Sequence, residues 1–206
     1  MPNAYAEIAF TAQVRAEQRR FGSDKDYARL LEPGRSGGAE LTAREAQFLS
    51  DRDGLFQATV SETGWPYVQF RGGAPGFLQV IDPRTVAYAD YRGNRQYISA
   101  GNLRHDGRLA IIAVDYARRK RLKLMGHARI SEDADIIALL NAPGSPPAER
   151  AIVIRVAAFD WNCPQHIPIR RTDSEAGGEI ARLQARIETL EAELRIRAAK
   201  STEFRA

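Results

Sequence analysis

From Leu55 to Ala158 the chain alternates apolar and polar residues in short runs, and turn-forming residues separate the runs. The pattern predicts strands near Phe56–Ser61, Tyr67–Arg71, Phe77–Ile81, Val86–Ala89, Leu109–Tyr116, Leu122–Ile130 and Ile152–Ala158. Thr63-Gly64, Gly72-Gly73-Ala74-Pro75-Gly76, Asp82-Pro83 and Tyr116–Lys120 punctuate them. Many strands joined by short turns argue for a mainly β protein with an antiparallel sheet or barrel, not an array of βαβ units.

Helical spacing appears around this region. The first 30 residues read as helical, and Pro33-Gly34-Arg35-Ser36-Gly37-Gly38 breaks them. Thr42-Ala43-Arg44-Glu45 offers a capping box for a short helix through Phe48 and Leu49. Two helical interruptions fit at Asn94–Leu103, with Asn94 as the cap of a helix beginning at Arg95, and at Glu132–Leu140. The run Ala142-Pro143-Gly144-Ser145-Pro146-Pro147 is a loop by composition. In Glu179–Arg197 the apolar residues Ile180, Leu183, Ile187, Leu190 and Leu194 recur at spacings 3, 4, 3, 4, the seam of a coiled coil. Such a short helix is expected to pair with a twin or fold back on the body, with Gly177-Gly178 as a flexible joint. The expected division is a helical extension and loop over 1–39, a barrel over 40–172, and a linker with an amphipathic helix over 173–206.

Composition narrows the function. Thirty basic against 26 acidic side chains give a net charge of only +4, too balanced to imply nucleic acid by itself. The single cysteine, Cys163, excludes an intrachain disulfide and a cysteine-based zinc site. His105, His127 and His166 lack metal-ligand spacing, so no metal site is expected. No apolar run approaches the roughly 20 residues of a membrane span, and no signal-like segment opens the chain. The expected setting is the cytoplasm.

The stretch Asp90-Tyr91-Arg92-Gly93-Asn94-Arg95-Gln96 carries the most specific chemistry. Arg92 and Arg95 suit a phosphate, because a guanidinium presents its donors as a planar fork. Taken alone, such a turn is a solvated surface. Gln69 and Arg71, which share one face of a strand by alternation, add a second polar cluster. The glycines after them, Gly72 and Gly73, would let a ligand approach the backbone. Cys163 near His166 invites a nucleophile reading, but no neighbouring group would orient or activate it. The basic run Arg118–Arg121 reads as a charged hairpin turn.

Four blocks in order resemble the pyridoxamine 5′-phosphate oxidase-like flavoproteins. They are Thr63–Gly73, Asp90–Tyr97, Arg121–Gly126 and Phe159-Asp160-Trp161. The resemblance covers about residues 40–170 and is closest to a branch with a Trp-Asn-Cys-Pro-Gln-His segment and a helical tail. It implies a Greek-key-like split β-barrel homodimer that binds FMN at the subunit interface and acts on a small-molecule substrate. On that basis Gln69, Arg71 and Gly72 contact the flavin or its phosphate. The family's phosphate-gripping Ser-Arg-Lys falls on Asn94-Arg95-Gln96, so Arg92 or Arg71 must replace the missing cation. Arg121, Lys123 and Trp161 are implied near the flavin. The family's C-terminal substrate element, Arg-x-His-x-Arg, is matched in type but not in spacing by His166, Arg170 and Arg171.

The resemblance thus implies an FMN-dependent oxidoreductase whose catalytic residues, substrate and electron acceptor the sequence does not name. A non-catalytic flavin or haem binder, serving as a redox sensor or carrier on the same barrel, is the alternative. A partner- or nucleic-acid-binding module using Arg118–Arg121 and the tail is a third reading.

Overall fold

A computed structural model describes residues 2–34, 37–142, 144–161 and 163–203. Arg35 and Ser36 of the expected Pro33–Gly38 break, Pro143 of the expected loop, and Asn162 lie outside the described residues. The chain forms two compact units, Met1–Asp115 with Arg119–Gln165, and Tyr116–Arg118 with His166–Ala206.

Seven strands in the first unit make one antiparallel sheet. They are β1 (Gly54–Val60), β2 (Pro66–Gly72), β3 (Gln79–Asp82), β4 (Thr85–Tyr91), β5 (Arg108–Asp115), β6 (Lys120–Ser131) and β7 (Ala148–Trp161). Across the sheet they run β2-β1-β5-β6-β7-β4-β3. Each expected run is a strand, with ends displaced by up to a few residues.

Side chains show that the sheet curls. Leu55, Gln57 and Thr59 of β1 point to one face and are buried, while Phe56 and Val60 point to the other and are exposed. On the inner face Tyr88 of β4 donates its hydroxyl hydrogen to Gln57 Oε1 at 2.7 Å. Three strands lie between β1 and β4 in the sheet order, so the contact spans a barrel interior. Leu55, Ile111, Leu122, Leu124, Ile152 and Ile154 fill that interior, each at most 1% exposed. Burying such side chains contributes about 1.5–3 kcal/mol apiece.

Helices cover selected parts of the barrel. In α4 (Ala43–Ser50) Phe48 and Leu49 enter the core, and the expected capping box forms. The Glu45 carboxylate accepts from the Thr42 amide at 3.0 Å, and the Thr42 hydroxyl accepts from the Arg44 amide at 3.3 Å. Helix α5 (Ile98–His105) buries Ser99, Ala100, Asn102 and Leu103. Helix α6 (Ala134–Leu140) packs Leu140 with Ala87 of β4 and Ala151 of β7. Strands β4 and β7 are therefore buried on both faces, which explains the nearly unbroken apolar run Ala151–Ala158. The outer face of β2-β1-β5 stays exposed, with Phe56, Val68, Phe70 and Ile112 between 41% and 61% accessible.

Three expectations change. The N-terminal helical region is broken into α1 (Ala4–Ala9), α2 (Ala12–Arg20) and α3 (Asp24–Ala28), followed by a 3₁₀ turn at Arg29–Leu31. Asn3 and Thr11 cap the first two helices and mark the breaks. Asn94 does not cap α5, which begins three residues after Arg95. Gly93, Arg95 and Tyr97 have φ of 50°, 61° and 54°, a left-handed conformation that no right-handed helix accommodates. In the second unit α7 (Asp173–Glu203) runs unbroken through Gly177 and Gly178, so these glycines are not a joint. Each costs about 1 kcal/mol relative to alanine, which a helix of 31 residues absorbs. A second capping box starts it: the Glu175 carboxylate accepts from the Thr172 amide at 3.0 Å, and the Thr172 hydroxyl accepts from the Glu175 amide at 3.2 Å. Among the described residues no helix is long and apolar enough to cross a membrane.

Candidate functional site

Strand β2 and the β4–α5 turn converge on one cleft of about 270 Å³. Alternation along β2 sends Tyr67, Gln69 and Arg71 toward it. At the end of β4, Asp90 faces the same space, and Arg92, Asn94, Arg95 and Gln96 form its rim. The rim is a tight turn. Arg95 N–H donates to the Arg92 carbonyl at 3.3 Å, and Gln96 N–H donates to Asn94 Oδ1 at 3.2 Å.

The polar groups beneath the rim are fixed by one another. Asp90 is 4% exposed, contacts Arg71 Nη1 at 2.8 Å and forms an ion pair with Arg150 Nε at 3.1 Å. The Arg150 guanidinium lies 4.8 Å from the centre of the Tyr97 ring, whose hydroxyl donates to Glu149 at 3.3 Å. Ser99 Oγ donates to Gln69 Oε1 at 2.8 Å, tying α5 to β2. The Arg71 guanidinium stands 5.8 Å from the Tyr88 ring. Burial, opposed by Arg71 and reinforced by Asp90, pushes the Tyr88 hydroxyl up to about 12, so it stays a neutral donor.

Three arginines line the cleft against one aspartate. Among the described residues Arg92 pairs with Glu149 alone, at 3.9 Å, and its side chain is largely exposed. The Arg71 Nε is buried without an acceptor. A buried donor without a partner costs about 1–3 kcal/mol, and an anion in the cleft is the kind of group that would supply one.

Five other residues expected at the site lie away from this cleft. Gly72 makes room for the protein itself: a Cβ there would come within 2.8 Å of the Phe70 ring and 3.0 Å of the Asp53 carbonyl. Gly73 does the same for Phe77. Lys123 pairs with Asp160 at 2.9 Å and sits 4.5 Å from the Tyr5 ring centre. Burial works against its charge, but the Asp160 and Tyr5 contacts prevail and raise its pKa. Trp161 donates its indole hydrogen to Glu45 Oε1 at 2.7 Å, stacks edge-on against Phe48, and has the Arg44 guanidinium 4.5 Å above it. Arg121 lies on β6 with a buried Nε that has no acceptor.

His166 and Arg170 belong to the second unit, where Arg170 stacks 5.0 Å from the Tyr116 ring centre. Cys163 is exposed, and no cluster of metal-ligating side chains occurs among the described residues.

Asp90 and Tyr97 fall inside the Asp90–Tyr97 block without a role assigned from the sequence, and Ser99, Glu149 and Arg150 join them in the polar network although no motif marks them. Asp90 and Arg150 lie 60 positions apart and meet only through the β4–β7 register, which pairs them directly.

The arrangement is a split barrel with a basic cleft at the end of β4. Residues 41–162 match the family model for pyridoxamine 5′-phosphate oxidase, and the chain belongs to that family. Among solved structures it is similar to HupZ of Group A Streptococcus, at 17% identity over 64% of this chain and 100% of that one, with a TM-score of 0.50. It is also similar to a putative pyridoxamine 5′-phosphate oxidase from Lactobacillus delbrueckii, at 20% identity over 59% and 94% of the two chains, TM-score 0.48. An FMN-binding protein from Syntrophomonas wolfei matches at 11% identity over 73% and 95%, TM-score 0.42. At these identities the likeness is one of fold. No curated protein matches the chain in sequence.

Proposed function

We propose that the chain is an FMN-binding oxidoreductase of the cytoplasm that acts on a small-molecule substrate as a homodimer, with the cofactor at the interface. The observation that carries the cofactor reading is the cleft itself, where three arginines and an orphaned buried guanidinium nitrogen surround a space suited to a phosphate. Family membership makes FMN the natural owner of that phosphate.

Size supports a site shared between two chains. The cleft of about 270 Å³ falls below the roughly 300–1,000 Å³ of pockets that enclose whole ligands. It suits the phosphate end alone. The exposed outer face of β2-β1-β5 offers the rest: Phe56, Val68, Phe70 and Ile112 make an apolar surface. It continues into an apolar groove of about 350 Å³ beside Val60, Pro66, Ala110 and Met125. Apolar patches of this kind mark interaction sites, and a second copy covering this one would close the space around a flavin ring.

When bound, FMN would supply hydride chemistry at its ring. The chain's own part is to clamp, orient and exclude water. Arg92 and Arg95 hold the phosphate, Asp90 holds Arg71 in place, and Ser99 fixes the Gln69 amide. The missing cation of the family's phosphate segment is replaced by Arg92, which shares the rim with Arg95.

The test begins with the visible spectrum and mass of the purified protein. Oxidised-flavin absorption, or a rise in thermal stability with added FMN, is expected. A ligand at 100 times its Kd stabilises by about 2.7 kcal/mol. A colourless protein that FMN does not stabilise overturns the reading. Steady-state oxidation of a nicotinamide or organic donor then separates an oxidoreductase from a carrier that binds flavin without turnover.

A further inference from the structure

Helix α7 carries a continuous apolar stripe that is open to solvent. Ile180, Leu183, Ile187, Leu190 and Leu194 are each between 40% and 64% exposed, although most of the other positions from 179 to 195 are charged, polar or alanine. We propose that this stripe is the seam of a parallel, two-stranded coiled coil formed with α7 of a second copy of the chain. The inference does not rest on the cofactor.

Three features choose that occupant. The first is register. With Ile180 at heptad position a, Ile187 and Leu194 are also a, and Leu183 and Leu190 are d. Isoleucine at a with leucine at d favours two parallel strands over three or four.

The second is charge. In a parallel pair, a g residue faces the e residue five positions later on the partner helix. Arg186 at g would then face Glu191 at e, twice by symmetry. The antiparallel pairing that stacks the same Ile and Leu layers brings g against g. Arg186 would face Arg186 and Glu179 would face Glu193, like against like. Glu191 already contacts Arg195 of its own helix, but at 3.4 Å and with both side chains exposed, so it can be shared.

The third is length. The seam from Ile180 to Leu194 covers about 22 Å of helix, too short to hold two free peptides together. It suits tails already joined to bodies that associate, where linkage raises the effective concentration to about the millimolar range.

The test uses the full chain with Cys163→Ser, which removes its one thiol. Leu190→Cys at d and Ala192→Cys at the outward f position are then oxidised and run on a non-reducing gel. The expected result is a covalent dimer from Leu190→Cys at least tenfold faster than from Ala192→Cys. Equal rates, or no dimer from Leu190→Cys, overturn the proposal. A covalent dimer that forms only on mixing Leu190→Cys with Ile180→Cys overturns the parallel orientation.

Charge exchange gives an independent arm. Arg186→Glu in the Leu190→Cys background should slow cross-linking, and adding Glu191→Arg should restore it. Residues five apart do not face each other along one helix, so rescue reports a contact between helices. Failure of the double variant to recover sinks the Arg186–Glu191 pairing.

Discussion

Arg71 and Asp90 meet at 2.8 Å, although four strands lie between β2 and β4 in the sheet. Their side chains are 19% and 5% exposed, and Asp90 also holds Arg150, whose side chain is 12% exposed. Removing the carboxylate would strand the nearly buried Arg71 guanidinium and leave Arg150 with Glu149 alone. Breaking a buried pair from one side costs about 3–5 kcal/mol. Asp90→Asn should therefore lower the midpoint of urea unfolding by an amount equivalent to about 3 kcal/mol. Asp90→Asn combined with Arg71→Met should recover part of that loss. An Asp90→Asn protein as stable as the parent would show that the bridge contributes little to closing the barrel.

The Tyr88–Gln57 bond bridges the same interior by a neutral route. Gln57 is 0% exposed and its Nε2 has no partner, so its Oε1 depends on the hydrogen bond from Tyr88. Tyr88→Phe keeps the ring but leaves Gln57 Oε1 bare, at about 1–3 kcal/mol. The double variant Tyr88→Phe/Gln57→Leu should regain most of it in the same unfolding assay. The hydroxyl also sets an alkaline limit. In the unfolded chain it ionises near 10, whereas in the fold it is held up to about 12. The neutral form's stabilisation is complete below pH 10 and is lost as pH rises toward 12. Tyr88→Phe should flatten that part of the stability curve.

How much of this was legible beforehand depended on the range over which each signal acts. The strand runs, the Thr42–Glu45 capping box and the α7 stripe are local patterns of period 2 or 3.6, and they appear where expected. Asn94 as a helix cap failed because Arg95 and Tyr97 are left-handed, a choice made by the β4–α5 turn that no periodicity records. Gln69, Arg71, Arg92, Asn94, Arg95 and Gln96 were legible as a cluster because they lie on β2 and the end of β4, whose motifs are short. Asp90, Arg150 and Glu149 were not, since strand register brings them together. Gly72 and Gly73 read in the sequence as room for a ligand, whereas in the fold nearby aromatic rings of the same stretch of chain occupy the space beside them. A glycine states that something comes close, and the fold decides that it is Phe70 and Phe77.

Glu45 links the α4 cap to Trp161 and should make the fold acid-sensitive. Burial alone would raise its pKa, but hydrogen bonds from Thr42 and Trp161 outweigh it and hold the carboxyl below its ordinary value. Its contribution is therefore complete above the ordinary glutamate value, about 4.3, and is lost as pH falls below it. The unfolded chain takes the proton that the folded one resists. Glu45→Gln should show a shallower loss of stability in that acid window. Trp161 fluorescence should shift in the parent as the indole loses its carboxylate acceptor. A parent whose Trp161 emission is unchanged down to unfolding would rule out this coupling.

Gly126 sits at the register shift between β6 and β7. A Cβ there would lie 2.7 Å from the Arg155 carbonyl oxygen and 2.7 Å from Ile154 Cγ2. Neither neighbour can swing aside, because one is backbone and the other belongs to a residue 0% exposed. Gly126→Ala should cost about 1–3 kcal/mol by overpacking, read as a lower melting temperature. Gly101→Ala is the control, since nothing lies within 4 Å of its added methyl group and α5 gains a better helix former.

The cleft makes a prediction that separates phosphate recognition from ring recognition. Arg95 is exposed on the rim and has no ion-pair partner among the described contacts, so removing it should leave the fold intact. A charge-assisted hydrogen bond is worth about 1.5–3 kcal/mol when sheltered, and exposure reduces that. Arg95→Ala should therefore weaken FMN binding roughly three- to tenfold. Riboflavin has the same ring and ribityl chain but no phosphate, so its affinity should not change. Rising salt should weaken FMN binding to the parent more than to Arg95→Ala, because exposed charges are screened. Titration by flavin fluorescence measures the four affinities at each of two ionic strengths. If Arg95→Ala weakened both flavins equally, Arg95 would act on the ring or on the fold. The phosphate would then rest on Arg92 and Arg71 without Arg95.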